Sequence, residues 1–390
     1  MVAEASSDSS QFPWHLGIYD AHCHPTDTMS SIDDIPAMKA TTLTVMATRE
    51  QDQELVAEVA SKTNLDGDDG SNRILPCFGW HPWFSHQIFD DTNDNGDNAS
   101  INKSTHYKAV VTPSIQDENL IRELPTPRSL SSFISETRTR LKNHPNALVG
   151  EIGLDRSFRI PNTWLPGDGN DRDPTRTPGT REYRTLSPHR VQLSHQRAIF
   201  KAQLKLAGEL QRPVSVHSVQ AHGAVFEVLR ELWSGYEREV ISRRERKRRG
   251  SVAGAHGDDS ADEIAVEKEK KRASAQANRS LPFPPRICMH SYSGPVEPLN
   301  QFLHPSVPAD IYFSFSDVIN FSSGSHSKVT DVIKALPKDR ILVESDLHRA
   351  GSDMDDMLEQ ITRRICSIRE WELEDGVKTL GNNWKRFVFG

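Results

Sequence analysis

The chain has 390 residues, 36% of them hydrophobic, a mean hydropathy of -0.59 and a formal net charge of -7. That length fits one α/β barrel with insertions, or two ordinary domains, and the low apolar content assigns much of the chain to solvated loop. The negative balance argues against a surface that coats polyanions generally, while leaving room for a cleft whose metal ions supply positive potential locally.

Residues 1–11 are rich in Ser and acidic side chains and have neither a basic n-region nor an apolar h-region, so residues 1–13 are expected to be a disordered tail of a protein that is not secreted. The four cysteines, Cys23, Cys77, Cys288 and Cys366, form no C-x-x-C pair, which points to a reducing compartment, cytoplasmic or nuclear. No stretch approaches the roughly 18 apolar residues of a membrane span, so no membrane partner is expected.

The first apolar run, 16–19, is expected to form a strand ending in Asp20-Ala21-His22-Cys23-His24. A second strand is predicted over 41–47, a helix over 50–62 with Leu55, Val56 and Val59 on one face, and a third strand over 73–78 that stops at Gly79-Trp80-His81-Pro82-Trp83. Residues 90–128 are Asn/Asp-rich and punctuated by Pro113, Pro125 and Pro127, which predicts a surface insertion. Helical spacing returns over 130–143, and a fourth strand over 147–152 leads into Gly150-Glu151-Ile152-Gly153-Leu154-Asp155. A Pro/Gly/Arg-rich insertion over 156–188 precedes an amphipathic helix over 191–210 and a fifth strand from Pro213 to His217.

A helix follows His217, and residues 236–285 form a charged segment with a basic cluster at 243–249, expected to be a solvated insertion. Strands six, seven and eight are predicted over 286–290, 310–315 and 340–345, and a last helix over 376–390. Eight strands separated by helices argue for a TIM (β/α)8 barrel over an open sheet, and hence one barrel domain over 14–390 with insertions at about 90–128, 156–188 and 236–285.

In such a barrel functional groups gather at the carboxyl ends of the strands. The i, i+2 spacing of His22 and His24 aims both imidazoles one way along a strand. Glu151, His217, His290 and Asp346 each end a later apolar run. A Glu between an apolar strand and a Gly needs a partner, since an unpaired carboxylate is costly to desolvate. Four histidines and two carboxylates suit zinc, manganese or iron, and tolerate magnesium. Six donors exceed one tetrahedral site, so two ions with one carboxylate bridging is the economical arrangement. His81, at another strand end, is placed either to touch substrate or to cap and pack beside Trp80.

These stretches, with His290-Ser291-Tyr292-Ser293-Gly294, Glu344-Ser345-Asp346 and the terminal 383–387, resemble the TatD-related metal-dependent hydrolases of the amidohydrolase-like superfamily. The resemblance spans almost the whole chain. It implies a metallo-dependent hydrolase barrel holding two divalent ions, Mg, Mn or Zn, one on His22, His24, Glu151 and Asp346 and the other on Glu151, His217 and His290. It further implies phosphodiester hydrolysis in DNA, with Glu151 and Asp346 as catalytic residues and Asp346 assisting as base. Asp155 would orient a neighbouring ligand by hydrogen bonding, and His81 would contact the phosphate end of the substrate.

Two departures stand out. Val219 occupies the position where the family usually carries an Arg, which favours the alternative of another ester, amide or phosphoester substrate. Leu347-His348-Arg349 replaces the usual Pro after Asp346, and Arg349 can supply a replacement cation for substrate. The insertions and the His217 loop resemble a fungal branch described as binding a helical-repeat cell-cycle protein, so a partner-binding scaffold is the other alternative.

Overall fold

A computed structural model describes residues 11–65, 73–92, 102–164, 173–240, 280–322 and 326–390. Its main sheet holds eight strands: β1 Tyr19–Cys23, β2 Thr42–Met46, β3 Ile74–Phe78, β4 Leu148–Asp155, β5 Val214–Val219, β6 Arg286–Met289, β7 Asp310–Phe315 and β8 Ile341–Val343. They pair in chain order and all in parallel. Residues of β2 and β3 are buried throughout, as expected of parallel strands covered on both faces, which read as continuous apolar runs. Beyond β8 the chain returns to β1, where Asp346 N–H donates to His22 O at 3.0 Å and His24 N–H to Leu347 O at 2.8 Å. The sheet is a nearly closed TIM barrel.

Helices α1 Glu50–Leu65, α2 Leu130–Asn143, α3 Leu193–Glu209, α4 His222–Trp233, α5 His326–Ala335, α6 Ser352–Arg369 and α7 Leu373–Phe389 surround it. The largest core lies between strands and helices, where α4 contributes Val225, Val228 and Leu229. A separate inner cluster of Ala21, Met46, Leu75, Leu148, Cys288, Tyr312 and Leu342 packs against Trp384 and Phe387 of α7. Trp384 stacks on Tyr19 with ring centroids 4.5 Å apart and donates to Thr44 Oγ1. Asn383 donates to Lys338 O and Ile341 O. The last helix thus packs on the barrel at the start of its strands, and the opposite end stays open.

Three local readings change. The first strand begins at Tyr19, because residues Trp14–Leu16 form a 3-10 turn that Gly17 ends at φ +89°, a conformation glycine adopts freely. Phe12 and Pro13, read as tail, are buried, and Phe12 packs edge-on to Trp14. The 90–128 stretch contains helices Lys103–Val110 and Glu118–Glu123. Their Tyr107, Leu120 and Ile121 join Val111, Ile115 and Ile160 in a small core of their own. Most of 236–285, including the basic cluster at 243–249, lies outside the described residues.

Candidate metal centre

Glu151 on β4 lies at the middle of the open end, with an imidazole group on each side of its carboxylate. Oε2 stands 3.4 Å from both His22 Nε2 and His24 Nε2, which are themselves 3.1 Å apart. Asp346 Oδ1 adds to this side at 3.5 Å from His24 Nε2 and 3.9 Å from His22 Nε2. Oε1 faces the other way, 2.8 Å from His290 Nε2 and 2.9 Å from His217 Nδ1, and those two nitrogens are 3.3 Å apart. His81 Nε2 also reaches Oε1, at 3.1 Å.

The backbone allows this crowding. Gly153 has φ +147°, and a Cβ there would fall 2.0 Å from His217 O, so β4 and β5 approach as closely as they do only with glycine at this point. Asp346 itself is left-handed, φ 54°, a region Asp tolerates better than most residues. Its N–H bond to His22 O ties that turn to β1.

Hydrogen bonds on the far side of each ring fix which nitrogen carries a proton. His217 Nε2 is 3.0 Å from Asp155 Oδ2, which also accepts the Trp83 indole N–H at 2.6 Å. A carboxylate only accepts, so His217 Nε2 holds the proton and Nδ1 presents a lone pair to Glu151. Two lone-pair atoms 2.9 Å apart repel unless a cation, either an added proton or a metal ion, sits at that junction. His22 likewise places Nδ1 2.8 Å from Ser215 Oγ and turns Nε2 inward. His81 is oriented the opposite way. Its Nδ1 accepts the Trp83 backbone N–H at 3.1 Å, so Nε2 is a donor rather than a lone pair.

Charge follows the same geometry. Burial alone would raise the Glu151 pKa, but the surrounding histidines, His81 and His290 foremost, hold it well below the carboxylate range. Burial also opposes charge on His24, yet its Asp346 hydrogen bond and the nearby carboxylates lift it to about 9. His290 is raised for the same reasons, against its burial, by Glu151 and Glu344. His81 moves down to about 4, through burial first. The centre therefore demands positive charge, which protons or metal ions can satisfy.

The donor set fits metal ions. Two donors on one ion at zinc or magnesium distances stand about 3.0–3.4 Å apart, and the spacings on both sides of Glu151 lie in or near that range. His22, His24 and Glu151 form one group of convergent side chains and His22, His290 and Glu344 another; Glu151 and His217 converge in a third, where His81 adds its Nε2–H rather than a lone pair. Glu344 was not singled out from sequence, although it is a buried carboxylate after an apolar strand, the same signal that marked Glu151. Its Oε1 lies 3.5 Å from His290 Nδ1, and among the described residues neither that nitrogen nor Glu344 Oε2 has a hydrogen-bond partner.

The centre opens into a cleft of about 1050 Å³. His24, His81, Glu151, His217, His290 and Asp346 line it, together with Val219 at the end of β5. Arg349 is exposed and lies beyond the residues that line the cleft, whereas His348 does line it. His348 Nδ1 is 2.7 Å from Asp27 Oδ2, and its ring stacks on His24 at 5.1 Å. Arg49, also missed, is fully buried and reaches Asp27 and Asp52. Nothing in the sequence sets Arg49 apart: Asp52 is an ordinary neighbour three residues on, while Asp27 and the carbonyls of Thr177 and Pro178 reach it from a distant turn and an insertion.

Compared with known proteins, residues 19–389 match the family described as TatD related DNase. The chain belongs to the TatD-related DNases. Among TatD relatives, the Cut9-interacting protein scn1 of Schizosaccharomyces pombe is 34% identical over 371 residues, covering 95% of this chain and 98% of that protein. The uncharacterized deoxyribonuclease YMR262W of Saccharomyces cerevisiae is 25% identical over 336 residues, 84% of this chain and 83% of its own. The fold is shared with the TatD homologue YjjV of Escherichia coli, TM-score 0.50 at 16% identity, covering 95% of this chain and 97% of that one. A TatD family hydrolase of Entamoeba histolytica aligns with TM-score 0.52 at 12% identity, over 96% and 98% of the two chains. This TatD chain is thus a hydrolase at the family level, with buried His and Glu groups able to hold metal.

Proposed function

We propose that the chain is a metal-dependent deoxyribonuclease that uses two divalent cations, Mg, Mn or Zn, to cleave phosphodiester bonds. The observation that carries this reading is the split carboxylate of Glu151, with Oε2 toward His22 and His24 and Oε1 toward His217 and His290. His22, His24, Glu151 and Asp346 would hold one ion, and Glu151, His217 and His290 the second. Bound there, the ions supply Lewis acidity and an activated water.

The protein's own groups do the rest. Burial opposes ionisation of Asp346, but its bond to His24 and the neighbouring imidazoles hold its pKa well below the usual range, so it meets the attacking water as a carboxylate, the form a ligand and an assisting base both need. Among the residues of the centre it also borders the cleft directly. His81, neutral with Nε2–H inward, donates a hydrogen bond to a phosphate oxygen. Asp155 positions His217 and fixes its tautomer.

Two further readings each have one observation behind them. Val219 gives the cleft an apolar side chain where a clamp for phosphate would help, which favours a smaller ester, amide or phosphoester. The S. pombe relative is named for its interaction with Cut9, which supports a protein partner for this chain too, the resemblance to the fungal branch implying a cell-cycle protein of helical-repeat type. The described cysteines are all buried and unpaired, which supports a cytoplasmic or nuclear protein, and among the described residues no helix is long and apolar enough to cross a membrane.

The test is degradation of single-stranded DNA with and without added Mg or Mn. The wild type is expected to require metal and the His22→Ala/His24→Ala double variant to lose the activity. A metal-loaded wild type that leaves DNA intact while hydrolysing a small ester would replace DNA as the substrate.

A further inference from the structure

The Arg-rich insertion contributes a wall to the cleft that the metal centre does not explain. Its turn has two successive non-glycine residues in the left-handed region, Glu182 at φ 49° and Tyr183 at φ 66°. That conformation is unfavourable for a bulky side chain, and the ring gains little packing in return, since Tyr183 is 74% exposed. The turn is nevertheless built in. Thr177 N–H donates to Asp27 O at 2.9 Å, and the buried Arg49 reaches Pro178 O at 3.0 Å and Thr177 O at 3.2 Å. Gly179 N–H donates to Glu182 Oε1, and Arg181 and Arg184 exchange Nε–H bonds to each other's carbonyls.

The turn presents an aromatic ring beside cations. The Arg176 guanidinium lies over Tyr183, 5.8 Å from its centroid. Arg176, Arg181 and Tyr183 all line the same cleft as Glu151, and Arg176 and Arg181 are exposed. On a chain of net charge -7, this places positive side chains at the mouth of the cleft. A flat ring with adjacent guanidinium groups is the chemistry that holds single-stranded nucleic acid, bases stacking on the ring and phosphates meeting the cations. The cleft is also at the upper end of the size range for small-molecule sites, which leaves room for neighbours of the scissile unit.

We propose that the 176–184 turn is a binding wall for single-stranded DNA, with one base stacked on Tyr183 and flanking phosphates on Arg176 and Arg181. It sets a preference for polynucleotides over small phosphodiesters, and it rests on the phosphodiesterase reading above. In this role Tyr183 decides specificity and takes no part in the bond cleavage.

The experiment measures binding of a fluorescein-labelled oligothymidylate by anisotropy in chelator, with no turnover, for wild type, Tyr183→Ala, Tyr183→Phe and Arg176→Ala/Arg181→Ala. Tyr183→Ala is expected to weaken binding roughly tenfold, the loss of one stacked base, and Tyr183→Phe to restore it. The double arginine variant is expected to flatten the dependence of log affinity on log salt by about 1.4, two phosphate contacts on a single strand. In the metal-loaded enzyme, Tyr183→Ala should lower the ratio of kcat/KM for the oligonucleotide to that for bis(p-nitrophenyl) phosphate by a similar factor. Equal oligonucleotide binding by wild type and Tyr183→Ala overturns the wall and leaves the turn as a protein-docking feature. A wild type that hydrolyses the small diester but binds no oligonucleotide also overturns it while sparing the phosphodiesterase reading. Tyr183-dependent binding by an enzyme that cleaves neither compound does the reverse.

Discussion

One carboxylate organises the centre, and the groups behind each imidazole decide what that imidazole can do. Asp155 illustrates the point. By accepting the His217 Nε2 proton it aims the Nδ1 lone pair at Glu151, and removing its charge frees the ring to turn or change tautomer. Asp155→Asn is therefore expected to weaken metal binding by about 10–100-fold, read by metal titration, and to lower the melting temperature too, because the new amide NH2 meets donors on either side of the carboxylate; unaltered metal affinity would show that Asp155 serves Trp83 and the Ser157 turn instead. At this scale the sequence was partly legible. The residues that close on Glu151 could be found because each is a polar side chain ending an apolar run. The distinction between His81 and the other histidines could not, because it depends on a backbone N–H two residues further along. Arg349 looked like the free cation of its loop, yet the chain turns so that His348 reaches the cleft.

The elements were legible where burial is complete. Parallel strands covered on both sides must be apolar throughout, so β2, β3 and β7 lie within a residue or so of where the hydrophobic runs predict them. β1 differed because Gly17 turns the chain inside what reads as one run. Helices in 90–128 were hidden because their small core draws single apolar residues from several short pieces, too sparse for a periodic signal. The approach of β4 to β5 is an element property with a direct test. Gly153→Ala puts a methyl group against His217 O at a positive φ, and is expected to cost more than about 3 kcal/mol, seen as a lower denaturation midpoint and a loss of metal. A variant with wild-type stability would mean that the two strands can separate without cost.

The whole molecule combines a barrel whose strand ends gather the centre with insertions that supply the mouth of the cleft, and a buried histidine group where the two meet makes its stability depend on pH. Outside the centre, His86 is buried beside His106 and His195, with no partner for its Nδ1 among the described residues. Burial, with the neighbouring imidazoles adding to it, lowers its pKa to about 3. Since the folded pKa lies below the unfolded value near 6.5, this group stabilises the fold fully above that pH, and the contribution is lost as pH falls from about 6.5 toward 3. At pH 5 the loss is about 2 kcal/mol. Wild type should accordingly lose more stability than His86→Gln between pH 7 and pH 5, and parallel melting curves would contradict it.

The account as a whole depends on Glu151 joining two metal positions, and elemental analysis of purified wild type beside Glu151→Gln tests that most directly. About two ions per chain in the wild type, and at most one in the variant, with hydrolysis lost alongside, is the predicted result. A Glu151→Gln protein that keeps both ions would contradict the bridging carboxylate on which the proposed chemistry stands.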